Sequence, residues 1–155
     1  MTPTRELAVQ IGQNFDQYGK YTNLTTLTIF GGVSQVPQVD ILKHGVDILI
    51  ATPGRLLDLN KQGFIDLDNL HCLVLDEADQ MLDMGFVNDV KKIVKLTPNN
   101  RQTLLFSATM PMAIRELSEM FLKDPVSVTV SPVSSTAEKV EQRVYFVDKT
   151  EKRNL

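Results

Sequence analysis

The chain has 155 residues, 43% of them hydrophobic and 23% charged, with a formal net charge of −3. This is ordinary globular material long enough for one core, so it excludes a disordered chain, and it excludes a global basic field that would gather polyanions. No apolar run approaches the roughly 18 residues of a membrane span, no leader-like charged and apolar segments open the chain, and the single Cys72, inside HCLVLD, reads as a buried, inert thiol in a reducing, cytoplasmic setting.

In chain order, Thr4 to Tyr18 carries Leu7, Ala8, Ile11 and Phe15 at helical spacing, with Thr4 placed to cap. LTTLTIF (24–30) then predicts a strand, and Ser34 to Lys43 a helix carrying Val36, Val39, Ile41 and Leu42. VDILIA (46–51) predicts the second strand and CLVLD (72–76) the third, with Pro53 suited to an early helical position between them. Phe86 to Leu96 predicts a helix facing inward with Phe86, Val90, Ile93 and Val94, and Asn99-Asn100 marks a turn. QTLLFSA (102–108) predicts the fourth strand, Pro111 to Leu122 a helix on Ile114, Leu117, Phe121 and Leu122, and VSVTV (126–130) a fifth strand. Residues 131–142 are small and polar and read as a linker, after which RVYFVD (143–148) resumes as a strand. Strands alternating with helices predict an α/β fold: a mostly parallel sheet with helices on both faces.

In such sheets ligands bind outside the carboxyl ends of the strands. Those ends run into Gly31-Gly32, Thr52-Pro53-Gly54-Arg55, Asp76-Glu77-Ala78-Asp79 and Ser107-Ala108-Thr109, all small, polar or charged. A carboxylate ending a buried strand can hold Mg²⁺ beside a nucleotide, and the next can orient the water that attacks a phosphate. An isolated Asp-Glu pair, however, more often caps the following helix, and isolated Gly-Gly or Pro-Gly pairs more often make turns. His44 and His71 read as exposed polar residues, and Met81, Met84, Met110, Met112 and Met120 as core and near-core filler.

The combination changes the weighting. Pro3-Thr4-Arg5-Glu6-Leu7-Ala8, the double glycine, Thr52 to Arg55, Asp76 to Asp79 and Ser107 to Thr109 occur in an order and spacing that resembles the DEAD-box ATP-dependent RNA helicases, and DEADQMLDMGF with RQTLLFSATM is similar to bacterial members. The resemblance implies a RecA-like fold of the P-loop NTPase type, with residues 1–131 as the C-terminal portion of a first domain. Residues 132–142 would be an interdomain linker and 143–155 the start of a second domain. Glu77 and Asp76 would be catalytic, Asp76 holding Mg²⁺ through water. Asp79, Ser107 and Thr109 would couple nucleotide state to domain closure. Pro3, Thr4, Arg5, Gly31, Gly32, Thr52, Pro53, Gly54 and Arg55 would contact the phosphates and sugars of RNA. The implied cofactors are ATP and Mg²⁺, the implied partner single-stranded or duplex RNA, read through its backbone with weak sequence preference.

One departure stands beside the match. A G-x-x-x-x-G-K-[ST] loop is absent, because Gly19-Lys20 is followed by Tyr21 and lies in a helical pattern. The expected fold is therefore an incomplete sheet lacking the P-loop strand, an N-terminally truncated piece, inactive by itself and prone to self-association through exposed sheet edges. The competing reading is a non-catalytic RNA-binding module that keeps the phosphate-contacting loops.

Overall fold

The computed structural model describes residues 1–130, 143, 146 and 147, and the chain divides into two units, Met1–Lys123 and Asp124–Leu155. The first unit runs α1 (Arg5–Tyr18), β1 (Thr26–Ile29), α2 (Val36–Leu42), β2 (Ile48–Ala51), α3 (Pro53–Lys61), β3 (Cys72–Leu75), α4 (Ala78–Asp83), α5 (Val87–Lys95), β4 (Gln102–Leu105) and α6 (Met112–Phe121). The strands form two parallel pairs, β1 with β2 and β3 with β4, in registers that set Ile29 against Ala51 and Leu75 against Leu105.

The two pairs are joined through the first two residues. Thr2 N–H donates to Ala51 C=O (3.0 Å), the Met1 ammonium donates to Val74 C=O (2.8 Å), and Asp76 N–H donates to Met1 C=O (2.9 Å). Donating to residue 74 and accepting from residue 76 is the pattern of a parallel pair centred on Leu75. Met1 and Thr2 thus lie as one strand's width of backbone between β2 and β3, giving the spatial order β1, β2, Met1–Thr2, β3, β4. Burial lowers the Met1 amine from its ordinary value to about 6, with the Asp76 carboxylate pulling the other way. Behind the two residues lies an apolar cavity of about 490 Å³, whose walls include Leu49, Val74, Leu73 and Ile93.

Helices cover both faces. Leu27 and Ile29 of β1 pack with Val39 of α2 and with Leu56 and Leu59 of α3, while Leu73 and Leu75 of β3 pack with Ala78, Met81, Val90, Ile114 and Phe121. The opposite face of β1, at Thr28, meets α1 so closely that a methyl at Gly12 would collide with Thr28 Oγ1. Each capping expectation has a physical outcome. Thr4 Oγ1 accepts from Leu7 N–H (3.2 Å) and starts α1, and Pro53 opens α3.

Three expectations are corrected. Cys72 is exposed, because it sits at the first residue of β3 on the face opposite Leu73 and Leu75. Of the five methionines read as filler only Met81 is core, at 2% exposure. Met84, Met110, Met112 and Met120 are exposed, the two on α6 lying off its Ile114, Leu117 and Phe121 stripe. In the second unit, residues 126–130 form no strand and Val126, Val128 and Val130 are exposed, since alternation without a neighbouring strand leaves the ladder unmade. The linker expected at 132–142 lies outside the described residues. So does most of the strand expected at 143–148, of which Arg143, Phe146 and Val147 are described and stand in no strand. Among the described residues no helix is long and apolar enough to cross a membrane.

Gly12→Ala is expected to destabilise the chain by about 1–3 kcal/mol despite alanine's better helix propensity, because the added methyl overpacks the α1–β1 contact. Adding Thr28→Ala should recover most of the loss. Urea unfolding of the single and double variants checks it, and Gly12→Ala as stable as wild type would contradict the contact.

Candidate functional site

The carboxyl ends of the four strands converge on one edge of the sheet, and two groups of side chains assemble there. The first is the acidic end of β3. Asp76 is half-buried, and its Oδ1 accepts from Glu77 N–H (3.1 Å). Glu77 occupies the N-cap of α4 in the left-handed region (φ 51°, ψ 53°) and makes no side-chain capping bond. A non-glycine residue there costs about 1–2 kcal/mol, which the surrounding packing supports. The carboxylates of Asp76 and Glu77 are therefore not consumed in capping a helix end.

Asp79, one residue into α4 and only 9% exposed, is tied to the end of β4. Its Oδ2 accepts from both Thr109 N–H and Thr109 Oγ1–H, each at 2.8 Å, and its own N–H donates to Ser107 Oγ (3.2 Å). The Ser107 hydroxyl in turn donates to Thr109 C=O (2.7 Å). Burial works to raise the Asp79 carboxyl. The hydrogen bonds from Thr109, with those at Ser107 and Gln80, outweigh it and hold the group below its ordinary range.

The second group lines a concave surface of about 470 Å³. It brings together Pro3, Arg5, Gly31, Thr52, Gly54 and Arg55, residues from three separate strand ends. Gly31 and Gly54 have ordinary φ values, and a Cβ at either would meet nothing within 4 Å. Neither conformation nor internal packing requires glycine at these positions, and the bare backbone there borders open space. Gly32 differs, since its φ of 78° is a turn requirement. At the start of α3 the first intrahelical bond is Leu56 N–H to Thr52 C=O (3.1 Å), so the Gly54 and Arg55 N–H groups precede it and have no intrahelical acceptor.

Three of the nine expected contact residues stand apart from that lining. Thr4 spends its hydroxyl on capping α1, Gly32 makes the turn, and Pro53 is buried and has no N–H to offer a phosphate. Three residues with no prior expectation join it: Phe30, Asp58 and Phe86. The Arg5 guanidinium carbon lies over the Phe30 ring, 4.9 Å from its centroid, while Arg55 donates through Nη2 to Val33 C=O (2.8 Å), so one guanidinium edge secures the glycine turn. Phe30 was legible as the neighbour of Gly31, whereas Phe86 reads in sequence as one more inward residue of a helix. Among the described residues, no cluster of three or more His, Cys, Asp or Glu side chains forms a metal cage. A lone strand-end carboxylate such as Asp76, with one oxygen outside internal hydrogen bonds, suits a cation that takes its other ligands from water and phosphate.

The direction of the Asp79 shift fixes a pH dependence. Folded Asp79 binds fewer protons than unfolded Asp79 as pH passes through and below about 4, so its contribution is complete above that range and is lost as pH falls through the lowered folded value. Asp79→Asn should cost about 1–3 kcal/mol near pH 7, the worth of charge-assisted hydrogen bonds, and the gap to wild type should close as pH falls below the ordinary carboxylate range. Denaturant unfolding at several pH values measures it, and a gap constant with pH would show that the carboxylate charge is irrelevant.

Comparison with known proteins gives one consistent result. The sequence model of the DEAD/DEAH box helicases matches residues 1–117. The chain is 46% identical over 147 residues to the RNA helicase CrhR of Synechocystis sp., covering 95% of this chain and 30% of that protein. It is also 46% identical over 143 residues to the ATP-dependent RNA helicase DeaD of Mycobacterium tuberculosis, covering 92% and 25%. It therefore spans about a quarter to a third of the length of these relatives. The crystal structure of a DEAD box protein from Methanococcus jannaschii superposes with a TM-score of 0.76 at 42% identity, over 80% of this chain and 34% of that one. With its motifs at the strand ends and the family model matched over residues 1–117, this chain belongs to the DEAD/DEAH box helicase family.

Proposed function

We propose that the chain is part of an ATP-dependent RNA helicase, contributing the surface that grips the RNA backbone and the carboxylates that act on ATP. The observation that carries this reading is the pair of exposed glycines, Gly31 and Gly54, which line one concavity with Arg5 and Arg55 and have no internal reason to be glycine. A sugar-phosphate backbone is the ligand that such a surface fits: it needs close approach to main chain, N–H donors at a helix start and a few guanidinium groups, and no global positive field. The chain's net charge of −3 is compatible with that local solution.

At the acidic end, Glu77 orients the attacking water and takes its proton, and Asp76 holds the cation that neutralises phosphate charge. The left-handed backbone of Glu77 turns its side chain out of the capping geometry, which leaves it free for this work. The Asp79, Ser107 and Thr109 network ties the start of α4 to the end of β4, and relays nucleotide state through that link. No segment carries a G-x-x-x-x-G-K-[ST] loop, and Gly19 is the C-cap of α1, so in our reading ATP binding requires a phosphate cradle from outside these residues. On the same reading residues 1–131 belong to a first RecA-like domain, 132–142 to a linker and 143–155 to a second domain, all in the cytoplasm. The outer edge of β4, with Leu104 and Phe106 exposed, is where the chain alone would self-associate.

Two measurements on the full-length protein test the proposal. Gly31→Ala and Gly54→Ala should each weaken binding of a labelled oligouridylate by about tenfold or more, the loss of one contact of about 1.4 kcal/mol, while leaving melting temperature unchanged or slightly raised. Fluorescence anisotropy and thermal melts read the two effects, and undiminished RNA binding would remove the concavity from the RNA path. Glu77→Gln should lower RNA-stimulated ATP turnover at least about a hundredfold, with RNA still bound in the presence of nucleotide. Turnover within about threefold of wild type would remove Glu77 from that role, and a wild-type protein without ATP turnover would favour the non-catalytic RNA-binding module.

A further inference from the structure

We propose that Phe86 is a positioning residue that transmits occupation of the concavity to Glu77 and Asp79; the proposal rests on the RNA and ATP assignments above. Phe86 has two surroundings. It lines the concavity with Gly31, Gly54 and Arg55, and it packs against the cluster that contains Ala78 and Met81 of α4. Its backbone is tied to the same helix, since Phe86 N–H donates to Met81 C=O (2.9 Å) and Gly85 N–H donates to Leu82 C=O (2.9 Å). Gly85, at φ 80°, supplies the reversal that brings the ring back.

The element between the two sites is short and stiff. α4 has six residues, a length of about 9 Å, with Glu77 immediately before it and Asp79 inside its first turn. Met81 is 2% exposed and belongs to the cluster on which Phe86 packs, so a displacement of Phe86 reaches α4 through buried contacts. A ligand that shifts Phe86 therefore moves α4 as a body. The movable end of that body is Glu77, held in a left-handed conformation that a small rotation of α4 would ease or tighten, while Thr109 grips Asp79. Phe86 also accepts from Val90 N–H (2.8 Å), so α5 follows the same movement.

The test uses the full-length protein with Phe86→Leu, which shortens the reach into the concavity, and Phe86→Tyr, which keeps the ring. Three readouts are needed: ATP turnover without RNA, turnover with saturating oligouridylate, and oligouridylate affinity without nucleotide. Phe86→Leu should lower the stimulation ratio, turnover with saturating oligouridylate divided by turnover without it, about five- to tenfold and by more than it lowers oligouridylate affinity, and Phe86→Tyr should retain the ratio. If Phe86→Leu lowers melting by more than about 5 °C, Phe86→Met gives the same comparison with the packing on Met81 better filled. Equal loss of basal and stimulated turnover would make Phe86 part of the framework of the acidic site. Loss of RNA affinity in step with turnover would make it a simple contact, and unchanged stimulation would remove it from the path; each result overturns the proposal. A wild-type protein without RNA-dependent turnover would instead overturn the functional reading and this proposal together.

Discussion

Three backbone hydrogen bonds made by Met1 and Thr2, to Ala51, Val74 and Asp76, hold the two halves of the sheet one strand apart and in register. Everything at the functional edge depends on that spacing. Arg5 lies three residues beyond the bridging Thr2, Thr52 directly follows Ala51, and Asp76 is itself a bridging partner. The guanidinium, the start of α3 and the acidic end of β3 are therefore positioned by main-chain geometry and not by long side chains. A parallel sheet makes this possible because all its strands deliver their carboxyl ends to one edge.

The chemistry of that edge is divided between groups that are held and groups that are left exposed. Arg5 lies on the Phe30 ring, Arg55 holds Val33 C=O, and Asp79 is bound twice by Thr109. Each of these contacts takes rotamer freedom from a side chain in the free protein, so less has to be lost when a ligand arrives. By contrast Gly31, Gly54 and the helix-start N–H groups offer surface with no internal partner. A net acidic chain can hold a polyanion in this way, because backbone donors and two fixed guanidinium groups act over hydrogen-bond distances, well inside the screening length of about 8 Å.

Much of this was legible in the sequence, for physical reasons that also explain the rest. The four strands β1 to β4 and the helices α1, α2, α5 and α6 announced themselves by period and flanking residues, and Thr4 and Pro53 marked helix starts through chemistry confined to the local chain. Cys72 and the α6 methionines were misplaced because an apolar residue does not reveal which face of its element is covered. Val126 to Val130 had the alternation of a strand, but a strand exists only when another offers a ladder, and that is not a local property. Phe86 could not be assigned to the concavity from periodicity, since its place there comes from what the fold brings opposite it. Pro53 and Thr4, expected among the RNA contacts, lie outside the lining of the concavity, where one has no N–H to offer and the other spends its hydroxyl on a cap.

The least economical feature of the structure is also its most informative. A helix of six residues that begins on a left-handed glutamate, without a capping side chain, is a poor helix by local rules, and a glycine or asparagine would satisfy its first position at lower cost. Its stability has to come from elsewhere, namely from Ala78 and Met81 in the core beneath it and from the Asp79 bonds to Ser107 and Thr109. A segment held from outside follows its holders, because it has little preference of its own to resist them. The holders here are the end of β4 on one side and Phe86 on the other, so the conformation of Glu77 is set by the elements that flank the acidic site and the concavity. Local inconsistency at Glu77 is thus compatible with a carboxylate whose position is meant to be adjustable, and a better-capped α4 would fix it in place.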